Sequence, residues 1–122
     1  MQDIFFKAKR IDKDEWEHGY IIKVNEDFYI VPYYASTFYG IKINPNTACQ
    51  YTRLKDKDNT MIFTGDICEH NNKEYVVFWN DLLCGLCVWN RENGDIESFD
   101  RFFTDRCKIV GNIYDEEDWV YA

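Results

Sequence analysis

The sequence predicts a mainly β protein with some α+β character, built from short antiparallel strands. Aromatic residues make up 18% of the 122 positions, and such side chains favour pleated, half-buried strand surfaces. β-prone runs alternate with polar turns at short, regular spacing, which is typical of small barrels and not of helical bundles. The chain offers one good helix candidate, near 98–105. We therefore expect at most one short helix.

The N-terminal part contains a predicted strand and a predicted hairpin. Residues 4–10 include apolar side chains at alternate positions, as a strand with one buried face does. Residues 16–24 and 27–33 are both β-prone, and only Asn25 and Glu26 separate them. A two-residue connection between such runs predicts a hairpin.

Proline and asparagine set the predicted turns in the middle of the chain. Asn44-Pro45-Asn46 predicts a turn after the short apolar run 39–43, because a residue before proline is pushed out of the helical region. Residues 55–59 are too polar to bury, and Asn59 can adopt the left-handed conformation of a tight turn. The remaining strand candidates are residues 49–54, 61–63, 67–68, 74–79, 82–89 and 107–114.

The predicted helix spans residues 98–105. Ser98 is the candidate N-cap, since its hydroxyl can accept a hydrogen bond from a free backbone N–H of the first turn. Phe99, Phe102 and Phe103 have the spacing of one helix face. The helix should therefore be about two turns long, at 3.6 residues per turn, and packed through its phenylalanines.

The formal charge of −8 is concentrated in the second half of the chain. Residues 1–61 contain nine Lys and Arg against nine Asp and Glu, whereas residues 62–122 contain five against thirteen. An acidic surface repels phosphate, so nucleic acid and anionic membranes are unfavourable partners and basic proteins are favourable ones. The simpler interpretation is that the charge only keeps a small domain soluble.

Cysteine content and hydropathy indicate a cytoplasmic protein. No run approaches ~18 consecutive apolar residues, and the N-terminal residues lack the order of a signal peptide. An odd number of cysteines in such a chain favours reduced thiols over a disulfide framework. The five are Cys49, Cys68, Cys84, Cys87 and Cys107.

Cys84-Gly85-Leu86-Cys87 is the one motif with a chemical name. A redox CxxC normally opens a helix, but this one lies within an apolar β-prone run, which argues against redox activity. Zinc ligation is favoured over redox activity but less than buried thiols, because no second CxxC or closely spaced histidine pair completes a site. Buried thiols are the preferred interpretation. We expect no catalytic residue, no metal and no cofactor.

Four segments resemble a known family. They are Ile4–Ala8, Trp16 with Gly19–Ile22, the run from Asn44-Pro45 through Gln50–Thr52 and Leu54–Lys57 to Gly65–Ile67, and Ile109–Tyr114. In this order they resemble the YopX-like family of small phage and prophage proteins. The resemblance implies one domain, residues 1–122, with an N-terminal β region at 1–48 and an SH3-like barrel region at 49–122. It implies no assigned biochemical activity.

The chain departs from the family pattern at several positions. Arg53 stands where a glycine is usual, Asn59-Thr60 replaces an Asn-Gly turn, and Thr64 replaces an acidic residue. The ending at 116–119 also differs. These departures predict a loop after Arg53 that is shaped differently or turned less tightly.

Two further elements are expected to be structural. Gly65 lets the chain turn sharply into a strand, Asp66 can accept hydrogen bonds from turn amides, and Ile67 enters the core. Gly111 and Asn112 belong to the second element, near the C-terminus. Within the same predicted strand, Ile109 and Ile113 should face one side by alternation.

The sequence predicts a phage-type accessory protein without enzymatic activity that binds a host or phage protein in the bacterial cytosol. One form of this hypothesis is an acidic inhibitor that mimics DNA and engages a basic partner. Homo-oligomerisation stays open. The candidate partner-binding residues form an exposed loop and an acidic tail: Tyr51, Arg53, Lys55, Asp56, Lys57, Glu116, Glu117 and Asp118.

Two alternatives come from other functional classes. The first is a nucleic-acid-binding barrel, which would need its basic residues to form one stripe. These residues are Lys42, Arg53, Lys55 and Lys57, joined by Lys7, Lys9 and Arg10. The second is a zinc-containing structural adaptor that uses Cys84 and Cys87, for which Cys68, Cys107, His18 and His70 are conceivable further ligands.

Overall fold

A computed structural model describes residues 6–32 and 40–116 of the chain. Strands dominate these residues, and the α-helical content described is a single short helix. Within the described residues, the strands form two antiparallel sheets. The predicted mainly β class with short antiparallel strands is therefore confirmed.

Most strands lie close to a predicted one, but the strand at Ile96–Ser98 has no predicted counterpart. The strands of the first half are β1 Phe6–Lys9, β2 Trp16–Val24, β3 Asp27–Pro32, β4 Ile41–Lys42 and β5 Cys49–Lys55. Those of the second half are β6 Met61–Phe63, β7 Asp66–His70, β8 Lys73–Asn80, β9 Gly85–Asn90, β10 Ile96–Ser98 and β11 Lys108–Asn112. A 3-10 helix covers Pro45–Thr47, and the α-helix, α1, covers Arg101–Thr104.

The chain divides into two compact units, Met1–Tyr51 and Thr52–Ala122. The boundary falls inside β5, three residues after the expected division between 48 and 49. Within the first unit, the strand order is β4-β3-β2-β1-β5. The last residues of β5 belong to the second unit, where the strand pairs with β6.

The β2–β3 hairpin organises the first unit, as the sequence predicts. Val24 pairs with Asp27, and Asn25 has a φ of 56°, the left-handed conformation that a two-residue hairpin turn needs. Gly19 pairs with Pro32 at the other end, where a Cβ would clash with the Val31 carbonyl oxygen. The core of this unit is formed by Ala8, Ile30, Ile41 and Ile43.

The second unit contains a four-strand meander, β7 to β10, whose first strand also pairs with β11. The resulting sheet has the order β10-β9-β8-β7-β11 and is open, because β10 and β11 are not paired with each other in the described part of the chain. Its core is formed by Ile62, Cys68, Tyr75, Val77, Val88, Phe103 and Cys107. The barrel that the resemblance implies is thus not closed by hydrogen bonds between these strands.

The helix differs from its predicted form. It begins at Arg101, and its N-cap is Asp100, whose carboxylate accepts a hydrogen bond from the Phe103 N–H at 3.1 Å. The expected cap, Ser98, is instead the last residue of β10, because its backbone is engaged in strand pairing. Phe103 is buried, whereas Phe102 is 69% exposed. A helix of one turn cannot bury both.

Two strand predictions were wrong in detail. The run 82–89 is not one strand, because residues 81–84 form a turn and β9 begins at Gly85. Ile109 and Ile113 do not face one core: Ile109 packs on the core of the second unit, and Ile113 packs against Ile67 and Val76. A bulge between Ile109 and Gly111 adds one residue and reverses the alternation.

Candidate functional site

The loop between β5 and β6 is held by one carboxylate, that of Asp56. Its Oδ1 accepts hydrogen bonds from the backbone N–H groups of Asp58 and Thr60, both at 2.9 Å. The Asp56 N–H donates to the Thr60 carbonyl, and the Asn59 N–H donates to the Asp56 carbonyl. Asn59 has a φ of 67°, as expected for a tight turn.

The same carboxylate ties the loop to the last strand. Its Oδ2 accepts a hydrogen bond from the Ile109 N–H at 2.9 Å, and the neighbouring Lys57 N–H donates to the Cys107 carbonyl at 3.0 Å. Asp56 is only 6% exposed as a result. The expectation that Asp56 lies in an exposed loop was therefore wrong: the carboxylate is used to satisfy backbone donors.

The other predicted loop residues are placed differently. Arg53, Lys55 and Lys57 are exposed, whereas Tyr51 is partly buried and belongs to the first unit. Arg53 has a φ of 70°, a left-handed conformation inside a strand. Glycine adopts this conformation without strain, so the glycine usual at this position in the resembled family matches the backbone seen here.

Cations of the first unit are paired with carboxylates. The Lys42 Nζ lies 3.3 Å from Asp27, and the Lys9 Nζ lies 2.7 Å from Asp14. The Arg10 guanidinium forms ion pairs with the carboxylates of both Asp12 and Glu17, at 2.8 and 3.3 Å. Burial, together with Lys7 nearby, lowers the pKa of His18, so this side chain is neutral near pH 7. Three of the seven cations named for a basic stripe, Lys9, Arg10 and Lys42, are thus paired with carboxylates within this unit.

The Gly65-Asp66-Ile67 element forms the entry to β7. Gly65 has a φ of 88°, and its N–H donates to the Val77 carbonyl at 2.7 Å. The buried Asp66 carboxylate accepts a hydrogen bond from the Phe63 N–H at 2.8 Å, and Ile67 is 1% exposed. These residues have the geometry of a structural turn.

Gly111 and Asn112 shape the end of β11. Gly111 lies at the bulge, and a Cβ there would be 3.3 Å from the Glu116 carboxylate. The Asn112 side chain accepts hydrogen bonds from the N–H groups of Tyr114 and Asp115, both at 3.0 Å. Glu116 is exposed, whereas Glu117 and Asp118 lie outside the described residues.

A group of exposed carboxylates follows β9. It comprises Glu92, Asp95, Glu97 and Asp100, and it is called here the acidic surface. Arg91 is the one cation between residues 75 and 100, and its guanidinium lies 2.9 Å from the Glu74 carboxylate. Burial raises the pKa of Tyr75, and the neighbouring Glu97 carboxylate raises it further. Negative charge therefore dominates this part of the second unit.

An apolar turn connects β8 to β9. Trp79, Leu82 and Leu83 are 56%, 95% and 67% exposed, and these three residues are called here the apolar turn. The Asn80 carboxamide oxygen accepts hydrogen bonds from the Leu82 and Leu83 N–H groups, at 2.9 and 3.2 Å. Sequence reasoning missed this feature by assigning the leucines to a strand. The signal for the turn was the Asn80-Asp81 pair, which is typical of turns.

In the residues described, the cysteines do not form the zinc site of the structural-adaptor alternative. Cys84 is exposed in the β8–β9 turn, and Cys87 is buried in β9. A hydrogen bond with Cys107, together with burial, raises the pKa of the Cys68 thiol, so it stays protonated at neutral pH. Over residues 6–32 and 40–116, no group of three or more His, Cys, Asp or Glu side chains is arranged to hold a metal ion.

In the described part of the chain, no helix is long and apolar enough to span a membrane. A comparison with curated proteins found no match. Residues 5–118 match the family model described as YopX protein, so the match covers nearly the whole chain. The chain therefore belongs to the YopX family, and this membership fits a phage-type accessory protein.

Proposed function

We propose that the protein is a non-enzymatic binding module that acts on a basic host or phage protein in the bacterial cytosol. The observation that carries the proposal is the acidic surface. Glu92, Asp95, Glu97 and Asp100 are exposed within nine residues, and Arg91, the one cation between residues 75 and 100, is paired with Glu74. A surface of this kind attracts cationic partners and repels phosphate.

Exposed charges raise the association rate and determine the choice of partner more than they increase binding affinity. The attraction also weakens with salt, because the Debye length falls to about 8 Å at physiological ionic strength. A partner recruited by the acidic surface should therefore be released by moderate salt. In the DNA-mimic form of the proposal, the carboxylates occupy a partner's phosphate-binding surface.

Affinity capture of the tagged protein from a nuclease-treated bacterial lysate tests the proposal, at about 50 mM and about 300 mM salt. The matched variants are Glu92→Gln/Asp95→Asn/Glu97→Gln, on the acidic surface, and Asp14→Asn/Glu15→Gln/Glu26→Gln, in the first unit. Asp100 is left intact because it caps α1. Each variant removes three negative charges.

The proposal expects that a basic protein is captured. The captured amount should fall about tenfold with the first variant and at high salt, and it should be unchanged with the second variant. Equal capture by both variants, or a partner that is unaffected by salt, would contradict it. The thermal unfolding midpoint of each variant should be unchanged within a few degrees, since exposed substitutions have small effects on stability.

The alternative is nucleic-acid binding through the exposed cations of the β5–β6 hairpin. Arg53, Lys55 and Lys57 are exposed there, which is the observation in its favour. Non-specific nucleic-acid binding is strongest at low salt, so a mobility-shift assay at about 50 mM salt decides it. A mobility shift that is seen with the original protein and lost in Arg53→Gln/Lys55→Gln/Lys57→Gln would favour nucleic-acid binding by this hairpin over the basic-partner proposal.

A further inference from the structure

We propose that Asn93 is a site of spontaneous deamidation, at which the folded chain converts a neutral carboxamide into a further carboxylate beside the acidic surface. The Gly94 backbone nitrogen attacks the Asn93 side-chain carbonyl carbon, the Cγ–Nδ2 bond breaks, and the proton of the attacking nitrogen leaves with the amide group as ammonia. Water then opens the resulting cyclic imide at either carbonyl, which gives aspartate or isoaspartate. The reaction consumes only water, so the inference does not depend on the basic-partner function.

The sequence offers one position at which this attack is unhindered. Asn93-Gly94 is the one Asn-Gly pair in the chain. Glycine has no Cβ, so its backbone can approach a neighbouring group more closely than that of other residues. Every other asparagine is followed by a residue with a side chain, as in Asn72-Lys73 and Asn112-Ile113. Asn93 should therefore react before the other asparagines.

The loop between β9 and β10 places the reacting groups together. Asn93 and Gly94 are both exposed, so water reaches them. The Asn93 Oδ1 accepts a hydrogen bond from the Asp95 N–H at 2.8 Å, which folds the carboxamide over the intervening Gly94 peptide. The same N–H faces the oxygen on which negative charge develops during the attack, as a donor in an oxyanion hole does. The carboxamide is thus polarised and held beside the attacking residue.

One hydrogen bond opposes the reaction. The Gly94 N–H donates to the Asn90 carbonyl at 2.8 Å, and the nitrogen must leave this carbonyl before it attacks. Asn90 is buried, and its carboxamide oxygen also accepts hydrogen bonds from the N–H groups of Glu92 and Asn93. The reaction therefore requires a local opening of the loop, which costs much less free energy than global unfolding. The folded chain should react about fivefold more slowly than the unfolded chain, the net effect of one hydrogen bond, and at the same residue.

Peptide mass spectrometry of the purified protein tests the inference. The folded protein is incubated at neutral pH in heavy-oxygen water and digested in ordinary water, so that only deamidation during the incubation carries the label. Trypsin cleaves after Arg91 and Arg101 and releases the peptide 92–101, in which Asn93 is the single asparagine. The chain unfolded in guanidinium chloride is the positive control. Gly94→Ala, which adds a methyl group beside the reacting nitrogen, is the control variant.

We expect the labelled peptide 92–101 to accumulate about tenfold faster than the labelled peptides that contain Asn72 or Asn112, and Gly94→Ala to lower its rate by about tenfold. Aspartate and isoaspartate should both form, since the imide opens at either carbonyl. Label that appears first at another asparagine, or equally fast in Gly94→Ala, would overturn the inference. So would aspartate without isoaspartate, which indicates direct hydrolysis of the side-chain amide. A folded protein that stays unlabelled under conditions that label the unfolded chain would overturn it as well.

Discussion

The two consecutive hairpins of the second unit share strand β8, and both turns contain left-handed residues, but the second turn also carries two exposed leucines. The β7–β8 connection is Asn71 and Asn72, both left-handed, with φ of 53° and 62°. The β8–β9 connection is four residues long, with leucines at its two central positions. Backbone geometry explains the asparagines of the first turn, because this residue tolerates φ above zero. It does not explain the leucines of the second.

This difference separates turns whose residues the backbone geometry explains from a turn whose leucines it does not explain. The β5–β6 loop belongs with the first kind, since Asp56 and Asn59 satisfy its backbone. Substitutions in the structural turns should change stability, whereas substitutions of the exposed leucines should leave it unchanged. The following experiments test that separation, beginning with the largest expected effect.

Asp56→Ala should lower the free energy of unfolding by about 3 kcal/mol. The substitution removes the carboxylate that accepts hydrogen bonds from the backbone N–H groups of Asp58, Thr60 and Ile109. A partly buried N–H group without an acceptor destabilises the folded state. Urea unfolding followed by tryptophan fluorescence measures the effect. Asp58→Ala, at an exposed position of the same loop, is the control and should change stability by less than about 0.5 kcal/mol. Equal losses of stability in the two variants would contradict the structural role of the Asp56 carboxylate.

Asn72→Val should cost about 1 to 2 kcal/mol, because a β-branched residue is strained at a φ of 62°. Asn72→Gly should be close to neutral, since glycine adopts that conformation readily. The pair of variants is compared by thermal unfolding. If the valine variant were as stable as the glycine variant, the left-handed conformation of the turn would not determine the stability of the first hairpin. The contrast between the two hairpins would then weaken.

Arg53→Gly should raise the free energy of unfolding by about 0.5 kcal/mol. Relief of the left-handed strain, about 1 to 2 kcal/mol, exceeds the extra entropy that glycine loses on folding, about 0.5 to 1 kcal/mol. Arg53→Ala keeps the strain and serves as the control in the same urea titration. A glycine variant less stable than the alanine variant would contradict this account.

Leu82→Ser/Leu83→Ser should leave the free energy of unfolding unchanged within about 0.5 kcal/mol, because both side chains are mostly exposed. This is the smallest effect and the sharpest test of the comparison. A loss above about 1 kcal/mol in the same unfolding assay would make the apolar turn structural, like the β7–β8 turn.

Much of the fold follows from local sequence patterns. The β2–β3 hairpin was predicted with its correct turn, and the structure confirms β6 at its predicted bounds. The helix lies within its predicted range but is about half the predicted length, and its cap was wrong, since Ser98 and Asp100 are both good N-caps and only strand pairing decides between them. The leucines were assigned to a strand because an apolar run does not show which of its residues stay in solvent.

The sequence by itself determined the class of fold, the positions of most strands and turns, and the concentration of negative charge in the second half. Those properties depend on neighbouring residues and on composition. The tertiary structure decided that Asp56 is buried, because its carboxylate meets an N–H that lies 53 residues away, and that a bulge sends Ile109 and Ile113 to different cores. It also decided which apolar residues remain exposed, since burial is a property of packing between distant segments and not of any local pattern.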